Sequence, residues 1–529
     1  MAELGLAIAG LAVGVPAVIK AISYMSDTIL QRVKHYDGDY NELLSLIIRI
    51  NKSQTQDLFL YFQSHGTEVP DDLQTELNLL FQALRSMFEE LLMVFKDVGP
   101  EKTIRKVKLS SRDKEKAAAI MRRLEEWNDR FFKRALVFIF FGAKPLPDRY
   151  ADLEDDVSLL ALRRVEKLRE AADDLLQSRK PAPKLLLDHP ERPDERSALP
   201  NSALHLSLPA YASPTSGLWS LVEYRVYDKA TGDREVQDQR RVVREIAAIM
   251  NQADTNIIGL LHCRGFLWDS ISGRFEVHFT FPRNFGNPRS LLDILKDPSN
   301  RKGVKHPLDQ RIHLARAIVS AVFVLHAADF VHKQIRPDNI ILFEREPQTS
   351  VSPEISHQVP NPSATYPYKL GRPFLVGFDN VRKADAASLL TPTEDWQKSL
   401  YLSPERHRLR RGDEFRMQHD LFSLGVVLIE IAFWESFQDT RAAKLRGVIW
   451  QDDGMTRMRA PDDLKRRYLG LARGAVARVM GSRYADVVVA CLTGLDVHPD
   501  DPSLQDQDGI IMGTAYITRV VRGLEEISM

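Results

Sequence analysis

Val331-His-Lys-Gln-Ile-Arg-Pro-Asp-Asn-Ile-Ile-Leu342 sets a run of polar side chains between an apolar entry and an apolar exit. Gln334 within it is a neutral amide with no basic lone pair, so it cannot accept a proton from a hydroxyl. Upstream, Leu308 to Ala327 places Ile312, Ala315, Ile318, Val322 and Leu325 at helical steps, which predicts the helix that delivers this stretch. Downstream, Glu344 to Tyr368 is rich in Pro, Ser and Asn and long for a hairpin connection, which predicts an inserted, mobile loop.

The order and spacing of the stretch resemble the protein-kinase catalytic loop. His332, Arg336 and Asn339 match the family's His, Lys and metal-binding Asn, and Leu325-His326 match the residues that close the preceding helix. Gln334 stands where that family carries its catalytic Asp. Gly377-Phe378-Asp379 stands where the family has Asp-Phe-Gly: Phe378 is in place, Gly replaces the metal ligand, and Asp379 would need a shifted backbone to reach a metal. Val222-Glu-Tyr-Arg225 occupies the Val-Ala-Ile-Lys position, with Arg225 in the lysine's place and Lys229 as the other candidate; both read equally well as exposed cations. Glu245 falls at the glutamate that would pair with that lysine. Glu405 ends a stretch like Ala-Pro-Glu, and Asp420 matches the Asp that anchors a central helix. Phe281-Pro-Arg283 falls at the hinge that would meet adenine, and no Gly-x-Gly-x-x-Gly occurs near Leu218.

From Leu218 to the C-terminus the resemblance implies an α+β bilobal protein-kinase-like fold. Its three departures imply a pseudokinase, since loss of a general base alone costs roughly 10²–10⁴-fold in rate. No cofactor is expected. Any ATP affinity would be weak and independent of Mg²⁺, because Asn339, with Asp379 as the doubtful second, is what remains of the metal site. The alternative is an atypical active kinase that uses Asp338 or Asp379 in compensation. Ser388, Thr391, Thr393, Ser399 and Tyr401 in the expected activation segment are candidate targets of an upstream activating kinase.

The N-terminal third reads as helical. Leu4 to Ile19 is uncharged between Glu3 and Lys20, with no preceding positive charge to make a signal peptide. As a helix it would span roughly 24 Å against a hydrocarbon core of about 30 Å. It reads either as a first bundle helix or as a membrane-seeking segment carrying Leu4, Ile8, Leu11, Val15 and Ile19. Apolar periodicity then predicts helices over 39–64, 71–97, 111–141 and 152–178, hence a bundle over residues 1–180. Lys102 to Arg123 is rich in Lys and Arg, suited to anionic headgroups or simply a solvated face. A Gly/Ala-rich N-terminal helix ahead of such a bundle is similar to the fungal HeLo and HeLo-like domains, a likeness that implies self-association and membrane targeting in programmed cell death.

The prolines across residues 181–217 predict a linker. The whole is therefore expected to be multidomain, an all-α bundle joined to a kinase-like half, an order similar to the mixed-lineage-kinase-domain-like cell-death proteins. With 72 basic and 72 acidic residues there is no general attraction to nucleic acid. Two cysteines, Cys263 and Cys491, point to a reducing compartment, hence a cytoplasmic protein; the likeness to the cell-death proteins implies that it is conditionally at the plasma membrane. A soluble signalling scaffold is the remaining alternative.

Overall fold

The computed structural model describes, with isolated gaps, residues 2–37, 41–55, 71–96, 107–136, 185–187, 195–208, 220–227, 232–251, 259–282, 285–298, 306–327, 330–345, 370–377, 382–383, 395–408, 415–452, 455–496 and 513–527, with side-chain surroundings from residue 18 onward. It is a mixed helix-and-sheet protein of two compact units, 1–163 with 505–517 and 164–504 with 518–529.

In the first unit, α1 (Ala2–Val33) is continuous across Gly5, Gly10, Gly14 and Pro16. Its C-terminal half buries Ile19, Ile22, Met25, Ile29 and Val33, an apolar stripe at helical spacing. α2 (Asp71–Val94) packs against both α1 and α3 (Ser111–Leu136). Between α2 and α3, Trp127 stacks on Phe131 at 4.7 Å and its Nε1–H donates to the Leu80 carbonyl at 2.6 Å. A buried ion pair, Arg134 to Glu76 at 2.9 Å, joins the end of α3 to the start of α2. The last turn of α2 carries no basic residue of its own. Arg32 of α1 supplies the missing cation by donating to the Leu92 and Phe95 carbonyls, which complements the negative end of the α2 dipole. This unit also contains a two-residue parallel bridge, β1 (Tyr36–Asp37) with β2 (Val107–Lys108), and helical residues within 41–55 that bury Leu44, Ile47 and Ile48, inside the helix expected over 39–64. The expected helix at 152–178 lies outside the described residues.

The second unit contains a five-stranded antiparallel sheet: β3 (Glu195–Ala198), β4 (Leu204–Leu208), β5 (Ser220–Val226), β6 (Cys263–Asp269) and β7 (Arg274–Thr280), in the order β3-β4-β5-β7-β6. The helix α4 (Asp233–Asn251) leads from β5 toward β6 and packs on β6 and β7. The hairpin of β3 and β4 corrects the linker expectation for residues 195–208. Pro193 precedes β3, Pro200 sits in the turn and Pro209 follows β4, so no proline interrupts a ladder and the stretch pairs normally. That turn, Leu199 to Leu204, contains no glycine.

After this sheet come β8 (Phe285–Ser290) and α5 (Leu291–Lys296), then α6 (Leu308–Ala327), which has the bounds read from its periodicity. The chain passes through β9 (Phe330–Val331) into the polar stretch and out along β10 (Ile340–Arg345), which pairs antiparallel with both β8 and β11 (Arg372–Leu375). Short β12 (Arg382–Lys383) pairs with β9. The expected insert lies outside the described residues from 346 to 369. Two short helices, α7 (Trp396–Ser399) and α8 (Pro404–Arg408), precede the central helix α9 (Met417–Phe433). From His419 onward every residue of α9 is buried, as expected for a helix apolar on all sides. Gly425 is what lets it approach its neighbour: a Cβ there would lie 3.0 Å from Leu492 and 3.1 Å from Cys491.

Glu430 is fully buried on α9. Its Oε1 accepts from the Tyr401 hydroxyl (2.7 Å), the Ser436 hydroxyl (3.0 Å) and the Phe437 amide (2.6 Å), which fastens the segment before α8 to the core. Burial nonetheless pushes its carboxyl up to about 8 from the ordinary 4.5. Folding therefore keeps the group protonated, so its contribution to stability is complete below about pH 4.5 and is lost as pH rises through about 8. Glu430→Gln should leave stability at pH 5 nearly unchanged and exceed the parent at pH 8.5 by about 1–3 kcal/mol, read from urea unfolding across pH. The same packing corrects the expectation for two phosphoacceptors: Tyr401 and Ser399 are buried, at 1% and 8% exposure. Ser388, Thr391 and Thr393 lie outside the described residues.

Candidate functional site

The polar stretch is held from below by Asp420, a fully buried carboxylate in the first turn of α9. It accepts from the backbone amides of His332 (2.6 Å) and Lys333 (2.8 Å) and from Nε2 of His326 at 3.1 Å. Both loop amides can reach one carboxylate because Lys333 adopts φ +68°, a left-handed turn that points successive N–H groups the same way. The Lys333 ammonium lies over Phe415 at 5.5 Å.

His332 is fully buried. The Gln334 amide donates to its Nδ1 at 3.3 Å, which puts the ring proton on Nε2, and Nε2–H donates to the Val376 carbonyl at 2.9 Å. Asn339 closes the loop: its Nδ2 donates to the Gln334 carbonyl at 2.9 Å, and its own carbonyl accepts from the Val376 amide at 2.9 Å. Arg336 donates to Asp338 at 3.0 Å, and the other Asp338 oxygen accepts from Gln438 at 2.9 Å.

Gly377 follows β11 at φ +77°, and a Cβ there would lie 2.4 Å from Cγ and Oδ1 of Asn339. The site is built around the absence of a side chain at 377. Its amide donates to Oε2 of Glu223 at 3.1 Å, so a carboxylate from β5 of the large sheet reaches the segment after β11. Glu223 is 2% exposed, and its Oε1 lies 3.6 Å from Nη2 of Arg225. Glu245, on α4, lies 3.8 Å from Arg241 of the same helix.

No family model matches this chain, and no curated protein matches it.

The structure thus brings His332, Gln334, Arg336, Asn339 and Asp420 together in one bonded loop, with Gly377 against it. Arg225 sits beside Glu223 on β5. Glu405 is exposed near Lys465 at 3.8 Å, away from these bonds. Lys229, Phe378 and Asp379 lie outside the described residues. Leu4, Ile8, Leu11 and Val15 fall within α1, where only the backbone is described, while Ile19 is buried at 5% exposure. Glu223 is the site residue that sequence reasoning missed. Its signal was a carboxylate directly after the apolar Leu221-Val222, two residues before Arg225 on the same strand.

Among the described residues no three His, Cys, Asp or Glu side chains converge as metal ligands. Where side chains are described, no helix is long and apolar enough to cross a membrane. A cavity of about 380 Å³ lies at the start of α6, lined by Asp309, Gln310, His313 and Arg316 among others, and includes none of the loop residues.

Proposed function

We propose that the second unit is a pseudokinase, a regulatory module that controls an N-terminal membrane-targeting helical bundle, with fungal programmed cell death or incompatibility as the setting. The observation that carries this reading is the loop 332–339, tied to the buried Asp420 through the His332 and Lys333 amides, with a neutral amide at Gln334 and a glycine at 377. A kinase needs a carboxylate at each of those two places, one to receive the hydroxyl proton and one to hold the metal that neutralises the transferring phosphoryl group. Glu223, paired with Arg225, already takes the Gly377 amide, so that backbone donor is not free for a nucleotide's phosphates. The order of elements also supports the reading, with α4 between the third and fourth strands of the sheet and the polar loop carried at the end of α6. The alternative active kinase is less well supported, because Asp338 is already engaged by Arg336 and Gln438.

For the bundle, α1 runs unbroken through the apolar Leu4 to Ile19 stretch. On α3, Arg112, Lys116, Arg123 and Arg130 fall within about 40° of one another and form a basic stripe, with Arg123 also paired to Glu90. An anionic lipid surface is the partner such a stripe suits, and self-association through the bundle would follow. The protein would then be cytoplasmic and conditionally at the plasma membrane. We expect full-length protein to release dye from vesicles containing phosphatidylserine more than from neutral ones, with release falling as salt rises. Leu11→Asp should abolish it, since placing Asp in an inserted helix costs roughly 2.5–3.5 kcal/mol. Leakage that ignores lipid charge, or that survives Leu11→Asp, would replace this reading with the soluble scaffold.

A further inference from the structure

Residues 440–483 carry eleven basic residues against four acidic ones, nine of the eleven being Arg, in a chain that is balanced overall. Two of these arginines are fixed side by side. After α10 (Thr440–Leu445) the chain turns at Gly447, φ +65°, into the hairpin of β13 (Ile449–Asp452) and β14 (Met455–Met458), then enters α11 (Pro461–Leu471). Nε of Arg467 on α11 donates to the Arg446 carbonyl at 2.6 Å, and Nε of Arg459 donates to the next carbonyl, that of Gly447. Gly447 lets the Arg467 guanidinium lie against the turn, since a Cβ there would come 3.3 Å from its Nε and 3.4 Å from its Nη2.

Fastening each side chain by Nε leaves the Nη groups of both forks for another acceptor. Arg459 and Arg467 are half-buried, and among the described residues no carboxylate lies within ion-pair distance of either. Arg446, the third guanidinium at the turn, is already neutralised: it donates to Glu435 at 2.9 and 3.0 Å and lies 3.9 Å over the Phe433 ring. Two partly desolvated like charges beside one another are stabilised by an anion that accepts from both.

The hairpin leads to this pair. Trp450 stands opposite Arg457 in the ladder, and the Arg459 amide continues it by donating to the Val448 carbonyl at 3.5 Å. Because side chains alternate, Met455, Arg457 and Arg459 fall on one face with Trp450. Trp450 and Met455 are 43% and 59% exposed. Asp452 shares that face at the tip, opposite Met455 and about 13 Å from Arg459. Among the described residues neither strand has a further partner, so both edges of the hairpin are open to an added strand.

We propose that Arg459 and Arg467 bind the phosphate of a phosphorylated segment in a partner protein, which lies extended along the hairpin with an apolar side chain against Trp450 and Met455. A phosphate monoester has the charge and the three free oxygens to take bidentate bonds from both forks. The run of about 13 Å places the apolar side chain about four residues from the phosphorylated one. A membrane suits this face less well, because Asp452 stands at the tip that would meet anionic headgroups first. The inference rests on the hairpin alone and holds whether or not the second unit is a pseudokinase.

The test is fluorescence anisotropy of the full-length protein with labelled nine-residue peptide pools, degenerate except for a central Ser, phosphoserine or Glu. The phosphoserine pool should bind about tenfold or more tighter than the other two. Peptides recovered from it should be enriched in apolar residues about four positions from the centre. Arg459→Gln and Arg467→Gln should each weaken binding about tenfold, and Trp450→Ala about threefold. Arg478→Gln, about 16 Å further along the same continuous helix as Arg467, should leave it unchanged. Arg467→Lys keeps the charge and should still lose most of the preference for phosphoserine over Glu, because an ammonium has no fork. Should a Gln variant unfold, the choice of the parent protein among the three pools decides. Equal binding of the phosphoserine and Glu pools, undiminished binding in both Gln variants, or an equal loss in Arg478→Gln overturns the site. Vesicles containing phosphatidylserine are the other arm: if they are bound and the phosphoserine pool is not, the face is a lipid surface and the proposal falls.

Discussion

Replacing Asp420 with Ala should lower the unfolding free energy of the second unit by about 3–5 kcal/mol, the largest loss expected from any single change in the site. The carboxylate is fully buried and receives the His332 and Lys333 amides at 2.6 and 2.8 Å together with His326 at 3.1 Å. Removing it orphans two backbone donors in a region water cannot reach, and leaves Lys333 in a left-handed conformation with nothing to hold it there. Asp420→Asn should recover little, because its amide nitrogen would face one of the donors. Urea unfolding monitored by tryptophan fluorescence measures the loss, and a deficit under about 1 kcal/mol would mean that the loop is held by packing alone.

Gly377→Asp introduces the carboxylate that a kinase would carry at this place under the proposed reading, and it should destabilise the protein. The new Cβ would lie 2.4 Å from Asn339, and φ +77° disfavours any side chain, so a loss of about 2–4 kcal/mol is expected. The new carboxylate would also sit close to Glu223, whose Oε2 accepts the Gly377 amide. Gly377→Ala should lose nearly as much, which assigns the cost to sterics rather than charge. A Gly377→Asp variant that melts at the parental temperature, or that gains stability from Mg²⁺, would show that the site adapts more easily than its contacts imply.

The polar loop was picked out by its likeness to the kinase catalytic loop; some of its bonds are local, with Gln334 to His332, Asn339 to Gln334 and Asn339 to Arg336 spanning five residues at most, but its anchor Asp420 lies 87 to 94 residues further on and was reached only through that likeness. Helix α6 was legible by itself, since its buried face repeats every three to four residues. What escaped was set by contacts across long stretches of chain. Glu223 reaches Gly377 over 154 residues, and nothing around position 223 announces that partner. The hairpin at 195–208 was hidden by prolines, whose count suggested a linker while their positions, at the ends and in the turn, permit strands. The docking of Leu185–Leu187 on the edge of β6 depends on Gly265, eighty residues away, a relation that periodicity cannot reveal.

The central claim is that the site has lost metal-assisted phosphoryl transfer, and the direct measurement is the melting temperature of the full-length protein with ATP, in Mg²⁺ and in excess EDTA. The account predicts either no shift or a small one that is the same in both, since Gly377 offers no carboxylate to hold a metal and Gln334 no base to take the hydroxyl proton. A shift of several degrees that requires Mg²⁺, together with autophosphorylation that disappears in Asp338→Ala, would contradict it and identify an active kinase.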